Sequence, residues 1–519
     1  MEPVLLAVAL PVMGSVFTSV YGRTRWTALL CSGVTLGLVC MLIPQVGIPR
    51  EVIVSVWMNP VPIRLLLDGF SVLFSLLISF LFFMIFVYSS YIQSRRYYSL
   101  LLLDLGVLLL AVFSKELLLF YVFLEIYTIV TYFLIIHKET EQAVRAGFKY
   151  LVMNVGGALL ILSAIVLEGS FSFVSLLFIA GCLIKIGSFP VHVWLADAHP
   201  AALSPISALL SGAMVKVGAY GLFRFSPQFG AELSFLIPVA LASMVICVFL
   251  AMIQVDIKRI LAYHTVSQVG YVLLGMVLGT EAGAAGGILH FVNHGLFKAL
   301  LFLCMGCVIY STGERNIRNL SGLYSRMPVT AAACLVGCLS ISGIPPFNGF
   351  VSKSLLFHAL ESDGVKVLFL ITCAGTVASF TKLWRHIFLG EPVETRKVPL
   401  SMKVPLVILS GLCIVLGIFP GVVLTITGYP AELAVWNSSC ILETLLAVGL
   451  GIALYVLGLK TKIIFRTPPI KVLDKFFSLC GRSVEYASTV LDRKLTLTIN
   501  YYAAFMVLFL VLLYFLQNY

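Results

Sequence analysis

Lys149, Lys185, Lys216, Lys298 and Lys353 all fall within or at the edge of long apolar runs, where a bilayer would place hydrocarbon. A charge near the bilayer centre costs roughly 2.5–3.5 kcal/mol on insertion scales, so it pairs, faces a cavity or works. Lys149 stands near a helix start, where its stem can snorkel to the interface. Lys185 and Lys216 lie well inside their runs, which argues against that reading. The run ELLLFYVFLEIYTIVTYFLI carries Glu116 at its edge and one acid well inside, Glu125. A carboxylate facing a lysine favours the charged form of both, and drawing them apart favours release of the proton. The chemistry such a pair offers is a switchable proton site. Asp104, nearer the start of its own run, is expected at the interface.

A second group lies in GILHFVNHGLFKALLF, where His290, His294 and Lys298 are spaced four apart. They share one helix face and cover about 12 Å along the axis. A single membrane histidine is often only a hydrogen-bonded part of the structure. Three titratable groups in line can pass a proton with water between them. No carboxylate or cysteine completes a metal-ligand set around the histidine pair, so no metal site is read there.

These groups need elements to hold them. The composition is 60% hydrophobic and 11% charged, against about 25% charged in soluble proteins. That excludes an ordinary soluble enzyme and a disordered chain. Continuous runs such as Leu105 to Phe113 argue against an alternating transmembrane β-barrel. The expected fold is all-α and polytopic, with about 14–16 transmembrane helices of roughly 20 residues each. The seventh span, CLIKIGSFPVHVWLADAHPAALSP, places Gly187 and Pro190 after Lys185. The twelfth, CLSISGIPPFNGFVSKSLLFHAL, places Lys353 after Gly343, Pro345, Pro346 and Gly349. Gly and Pro break helices and free carbonyls, which membranes tolerate where the break lines a cavity. Two lysine-bearing broken helices point to inverted repeats around a midplane site. The expected organisation is N-terminal helices over 1–97, one five-helix repeat over 98–226, an inverted copy over 227–390, and C-terminal helices over 391–519. An odd number of helices per repeat makes the two copies run in opposite senses.

Charge sets the expected orientation. With the N-terminus outside and sixteen alternating spans, 24 basic residues fall on inside connections and 5 on outside ones. The positive-inside rule thus accounts for the net charge of +11 without a nucleic-acid partner. Both termini are expected outside a multi-pass cytoplasmic membrane. The N-terminus reads as a first span and not as a cleaved signal. Cysteines are scattered, the Cys304/Cys307 pair lies in an apolar run, and no haem, iron–sulfur or nucleotide motif is visible. No cofactor and no metal are therefore expected. After Pro468 and Pro469, apolar residues from Leu473 to Leu495 recur at three- or four-residue steps with basic interruptions. That predicts an amphipathic interfacial helix over about 470–499, followed by a last span near 501–517.

Over about residues 60–390 the chain resembles the antiporter-like membrane subunits of respiratory complex I, Mrp sodium/proton antiporters and membrane-bound hydrogenases. The resemblance rests on LLLDGFSVLF, FLEIYTIVTYFLI, AGFKYLVMN, LIKIGSFPVHVWLADAHPAALSPISALLSGAMVKVGAYGL, DIKRILAYHTVSQVGY, HFVNHGLFKALLF and GIPPFNGFVSK, in order. It implies that Glu125 pairs with Lys185. It further implies an ion path through Lys216, the His290/His294/Lys298 face and Lys353. Leu124 replaces the family's common tryptophan. His264 replaces a common serine and adds a titratable group that could serve near the entry. KYLVMNVGGALL is most similar to hydrogenase-type and archaeal sulfur-reducing assemblies.

The resemblance implies a proton-translocating subunit of an oxidoreductase complex, NADH-quinone oxidoreductase-like or hydrogenase-like. Its partners would be other membrane subunits, the bilayer, and protons or sodium. The rival reading is an Mrp-type sodium/proton antiporter subunit driven by an ion gradient. An inert membrane scaffold is disfavoured by five membrane lysines.

Overall fold

The computed structural model describes residues 2–20, 24–47, 49–56, 62–167, 172–230, 232–429 and 435–461. The helices among them are α1 Pro3–Val20, α2 Thr24–Cys40, α3 Gly69–Tyr88, α4 Arg95–Phe113, α5 Leu117–Ile135, α6 Glu141–Leu167, α7 Ser172–Ile186, α8 Val193–Ala201, α9 Ser204–Leu209, α10 Val215–Phe225, α11 Ile237–Ile253, α12 Ile257–Val277, α13 Glu281–Thr312, α14 Pro328–Ser342, α15 Asn348–His358, α16 Asp363–Phe388, α17 Leu400–Ile418, α18 Gly421–Thr427 and α19 Ser438–Thr461. Thirteen helical segments are long and apolar enough to cross a membrane, and α7 and α14 are shorter apolar helices. Those two carry the predicted seventh and twelfth spans. The predicted interfacial helix over 470–499 and the span near 501–517 lie outside the described residues.

One element departs from the all-α expectation. β1 Arg50–Val56 and β2 Pro62–Leu67 pair antiparallel, with a register irregularity between Ile53 and Ser55. REVIVSV is too short to span, and Pro60 and Pro62 disfavour a helix there. Lys115 and Arg64 hold the hairpin through Glu51, and Arg64 also reaches Glu116 at 2.6 Å.

Side chains of known type end the helices. Asp68 caps α3 through a capping box with Ser71, and Asp256 caps α12 by accepting from the backbone of Lys258 and Arg259; both satisfy amides that a helix start leaves free. Gly187 at φ 68° follows α7, and Gly343 at φ 78° follows α14. Each stands three residues before a proline, Pro190 and Pro346.

The long helices run between two polar faces. On the arginine-rich face Lys149 meets Asp197 at 2.8 Å, Arg259 meets the same carboxylate at 3.0 Å, and Arg315 pairs with Asp256. On the hairpin face Arg224 pairs with Asp68. Between the faces, α12 and α13 are almost wholly enclosed, packed on each other and on α11, α14, α15 and α17. The outer helices turn apolar side chains outward, among them Val16, Leu30, Phe148, Val407 and Leu445, as lipid-facing helices do.

Candidate functional site

Lys185 is the second-last residue of α7. Its Nζ donates to Glu125 Oε1 at 3.0 Å and to Thr128 Oγ1 at 2.8 Å. Glu125 and Thr128 stand three apart on α5, so one face supplies both acceptors. The lysine is 1% exposed and the glutamate 20%, which leaves the acid half-open at the flank of the bundle. The pair expected from sequence is thus in contact, and Thr128 is a partner that the sequence did not single out.

Lys216 stands just past a π-helical turn, Leu210–Met214, that joins α9 to α10. Its Nζ donates to Ser211 O at 2.8 Å. A π-turn displaces the i→i−4 ladder and frees carbonyls, a frequent feature of functional sites. α10 also packs tightly on the end of α7. A Cβ on Gly218 would stand 2.8 Å from Ile186 N and 2.9 Å from Lys185 Cβ.

On α13, His290, His294 and Lys298 line one face as their spacing predicts, and all are fully buried. The two imidazoles are parallel within 2°, with centroids 6.2 Å apart. His290 Nδ1 bonds Ser352 Oγ at 3.0 Å, which joins this face to α15 one residue before Lys353. Lys353 Nζ donates back across the Gly343 break to Ile341 O at 2.7 Å and lies 4.9 Å from the Tyr271 ring centroid. Lys298 Nζ donates to Leu261 O. Lys216 Nζ lies 5.9 Å from the ring centroid of Phe291, which adjoins His290 on α13. These five groups therefore form one neighbourhood, with the Glu125–Lys185 pair beside it across the α7–α10 contact.

His264 is fully buried, two turns into α12, with its ring 4.6 Å from that of Phe380. Both His264 nitrogens, both His294 nitrogens, His290 Nε2, the Gln268 side chain and the Asn348 side chain have no hydrogen-bond partner among the described residues. Buried polar atoms are almost always satisfied, and bridging water is the usual means where protein supplies no partner.

One buried charge differs from its sequence reading, and two more are deeper than their place at span ends suggests. Asp104, expected at the interface, is fully buried within α4, with Oδ1 accepting from Thr131 Oγ1 at 3.3 Å. The reason is that α4 lies against α1, α3 and α5, so a residue at its midpoint is enclosed. Lys258 and Lys382 are among the basic residues counted on inside connections and the span ends beside them, and each is 1% exposed. Lys258 Nζ donates to Ala202 O at 2.8 Å and to Ser207 Oγ at 3.1 Å. Lys382 Nζ donates to Met252 O and Gln254 O, each at 2.6 Å. Each neutralises carbonyls at the end of another helix, which sequence spacing does not reveal. Lys149 fits its interfacial reading, since its cleft on the arginine-rich face also holds Glu141, Arg145 and Arg259.

A family model described as NADH:quinone oxidoreductase/Mrp antiporter, TM, matches residues 114–168 and 166–379. The chain is 32% identical over 354 residues to hydrogenase-4 component B of Escherichia coli strain K12, covering 58% of this chain and 53% of that protein. It is 33% identical over 423 residues to Na(+)/H(+) antiporter subunit A1 of Staphylococcus aureus strain N315, covering 69% and 53% respectively. It thus spans about half the length of these curated relatives. Among solved structures it is similar to the Mrp complex from Dietzia sp. DQ12-45-1b, with TM-score 0.83 and 26% identity over 98% of this chain and 62% of that one. It is also similar to respiratory complex I from Thermus thermophilus, with TM-score 0.75 and 25% identity over 87% and 99%.

Proposed function

Because the chain belongs to the NADH:quinone oxidoreductase/Mrp antiporter membrane family, we propose that it is a proton-translocating subunit of a redox-driven membrane complex. Protons would pass along a midplane row from the Glu125–Lys185 pair through Lys216 and the His294–His290 face, with Lys298 alongside, to Lys353. The observation that carries this reading is the His290–Ser352 bond. It brings the α13 relay face to the element bearing Lys353, while Lys216 Nζ lies 5.9 Å from the ring of Phe291 beside His290. The unpartnered nitrogens of His290, His294 and His264 support water-linked transfer between these groups, with His264 as an internal branch.

The matching breaks after α7 and α14 support two inverted five-helix repeats over 98–226 and 227–390. In each, a glycine at positive φ stands three residues before a proline. Basic residues gathered at one end of the helices support placing that face in the cytoplasm.

The second reading is an Mrp-type sodium/proton antiporter subunit. It is favoured by the structural match over 98% of the chain. Proteoliposomes containing the native complex separate the two. Redox-driven proton uptake supports the first reading, and gradient-driven sodium exchange without a redox substrate supports the second. In either case Lys185→Ala and Glu125→Ala should abolish transport in correctly assembled complexes. Transport at the unmodified rate in both would sink the proposed path. The co-purifying chains give an independent check: metal-cluster proteins accompany the first reading, and only membrane subunits the second.

A further inference from the structure

Where α15 ends against the start of α19, three donors of different chemistry converge. His358 Nε2 stands 3.1 Å from Cys440 Sγ and 3.3 Å from Glu443 Oε2, and the donor atoms of all three lie within 4.8 Å of one another. A tetrahedral zinc centre has bonds of about 2.0–2.1 Å to nitrogen and oxygen and about 2.3 Å to sulfur, so its neighbouring donors stand roughly 3.3–3.6 Å apart. The two separations measured from His358 come within about half an ångström of that cage, and the third donor pair lies no more than 4.8 Å apart.

The surroundings hold the donors in place. Cys440 and Glu443 are three apart on the first turns of α19 and share a face. Asn437 Oδ1 accepts from the backbone N–H of Cys440 at 2.9 Å. Ser439 Oγ donates to Glu443 Oε1 at 3.1 Å, which leaves Oε2 for His358. Outer hydrogen bonds of this kind orient metal ligands. His358 is 45% exposed and Glu443 27%, while Cys440 is buried behind them. An ion would enter from solution through the imidazole and carboxylate and meet the thiol last.

The cluster also lies over something. A cavity of about 30 Å³ is lined by Lys353, Ser354, Cys440 and Glu443, room for about one water. Two ligands therefore face the same small space as the terminal lysine of the proposed path.

We propose that His358, Cys440 and Glu443 form a zinc-type divalent-cation site with one exchangeable position, and that its occupancy closes the route between Lys353 and the hairpin face. The closing step rests on the transport reading given above; the binding site does not.

Cobalt(II) titrated into the purified native complex reads the site through a thiolate-to-cobalt charge-transfer band. The band is expected in the unmodified complex and absent in Cys440→Ser. In His358→Ala and Glu443→Gln it should need at least about tenfold more cobalt, because losing outer-shell partners alone costs roughly 10–100-fold in affinity. A band unaffected by Cys440→Ser overturns the site. Zinc is then added to transporting proteoliposomes. Inhibition of the unmodified complex, relieved at least about tenfold in concentration by the same variants, supports closure. Cobalt binding with transport indifferent to zinc overturns closure and leaves the metal site standing. If the unmodified complex moves no ions at all, the transport reading and closure fall together, and the cobalt result alone decides the site.

Discussion

Apart from Lys185, the buried lysines among the described residues meet main-chain carbonyls. Lys353 reaches the last turn of α14, Lys382 the end of α11, Lys258 the end of α8, and Lys216 the π-turn before α10. A helix C-terminus carries about half a negative charge, so a helix that ends beside a lysine supplies its counter-charge. Two roles can be told apart by substitution. Lys382→Met leaves Met252 O and Gln254 O buried without their donor, at about 1–3 kcal/mol for each group. Its thermal midpoint in detergent should fall while transport per folded molecule is kept. Lys353→Ala should instead lose transport. His290→Ala and Lys353→Ala should cost much less together than the sum of their single losses in free-energy terms, because both interrupt one path. Strictly additive losses would assign them separate roles. On the arginine-rich face, Glu314 accepts from the backbone of Asn316 and Arg315 and from the Asn319 side chain. These bonds hold its carboxyl below the usual range. The native contribution is therefore fully present above the unfolded carboxylate's titration and is lost as pH falls through the lowered folded value. Glu314→Gln should flatten the acid limb of the stability–pH profile, followed by thermal unfolding between neutral and acid pH.

At the scale of elements, close approach matters as much as charge. Gly218 lets α10 lie directly on Lys185 and Ile186. Gly218→Ala pushes backbone against backbone, an overpacking worth about 1–3 kcal/mol, and moves α10 off the end of α7. Transport should fall, with Glu125 and Lys185 unchanged in identity. Gly411→Ala meets nothing within 4 Å and should be silent in the same assay. The contrast with what the sequence shows is physical. The α13 face was legible because helical period is local, and the helix ends at Gly187 and Gly343 because Gly and Pro act on their own backbone. The acceptors were not. Thr128, Ile341 and Met252 take up their roles only when another helix is laid beside them, and Ser211 does so only through the π-turn. The His358–Cys440–Glu443 cluster was hidden for the same reason, since 82 residues separate its first two members. Asp104 misled because distance from a run's edge is a poor measure of depth when neighbouring helices rise past that edge.

For the whole molecule, the ion pairs sort the connections onto two faces. Single cysteines at Asn319, on the arginine-rich face, and at Asp363, at the start of α16, should react with impermeant reagent from opposite sides of sealed vesicles. Labelling of both from one side would overturn the proposed topology. The enclosure of α12 and α13 has a consequence for biogenesis. Among the thirteen candidate spans, α12 is the least apolar and the most completely buried. It carries Lys258, His264 and Gln268 where its neighbours, not lipid, surround them. An insertion machine that reads each segment against hydrocarbon has weak grounds to release α12 sideways on its own. The segment gains a suitable environment only when α11 before it and α13 after it are at hand. A nascent chain halted just beyond Val277 would therefore hold this helix poorly in the bilayer, and completing α13 would draw it in. The residues that suit the centre of the finished protein thus make its middle the hardest part to insert.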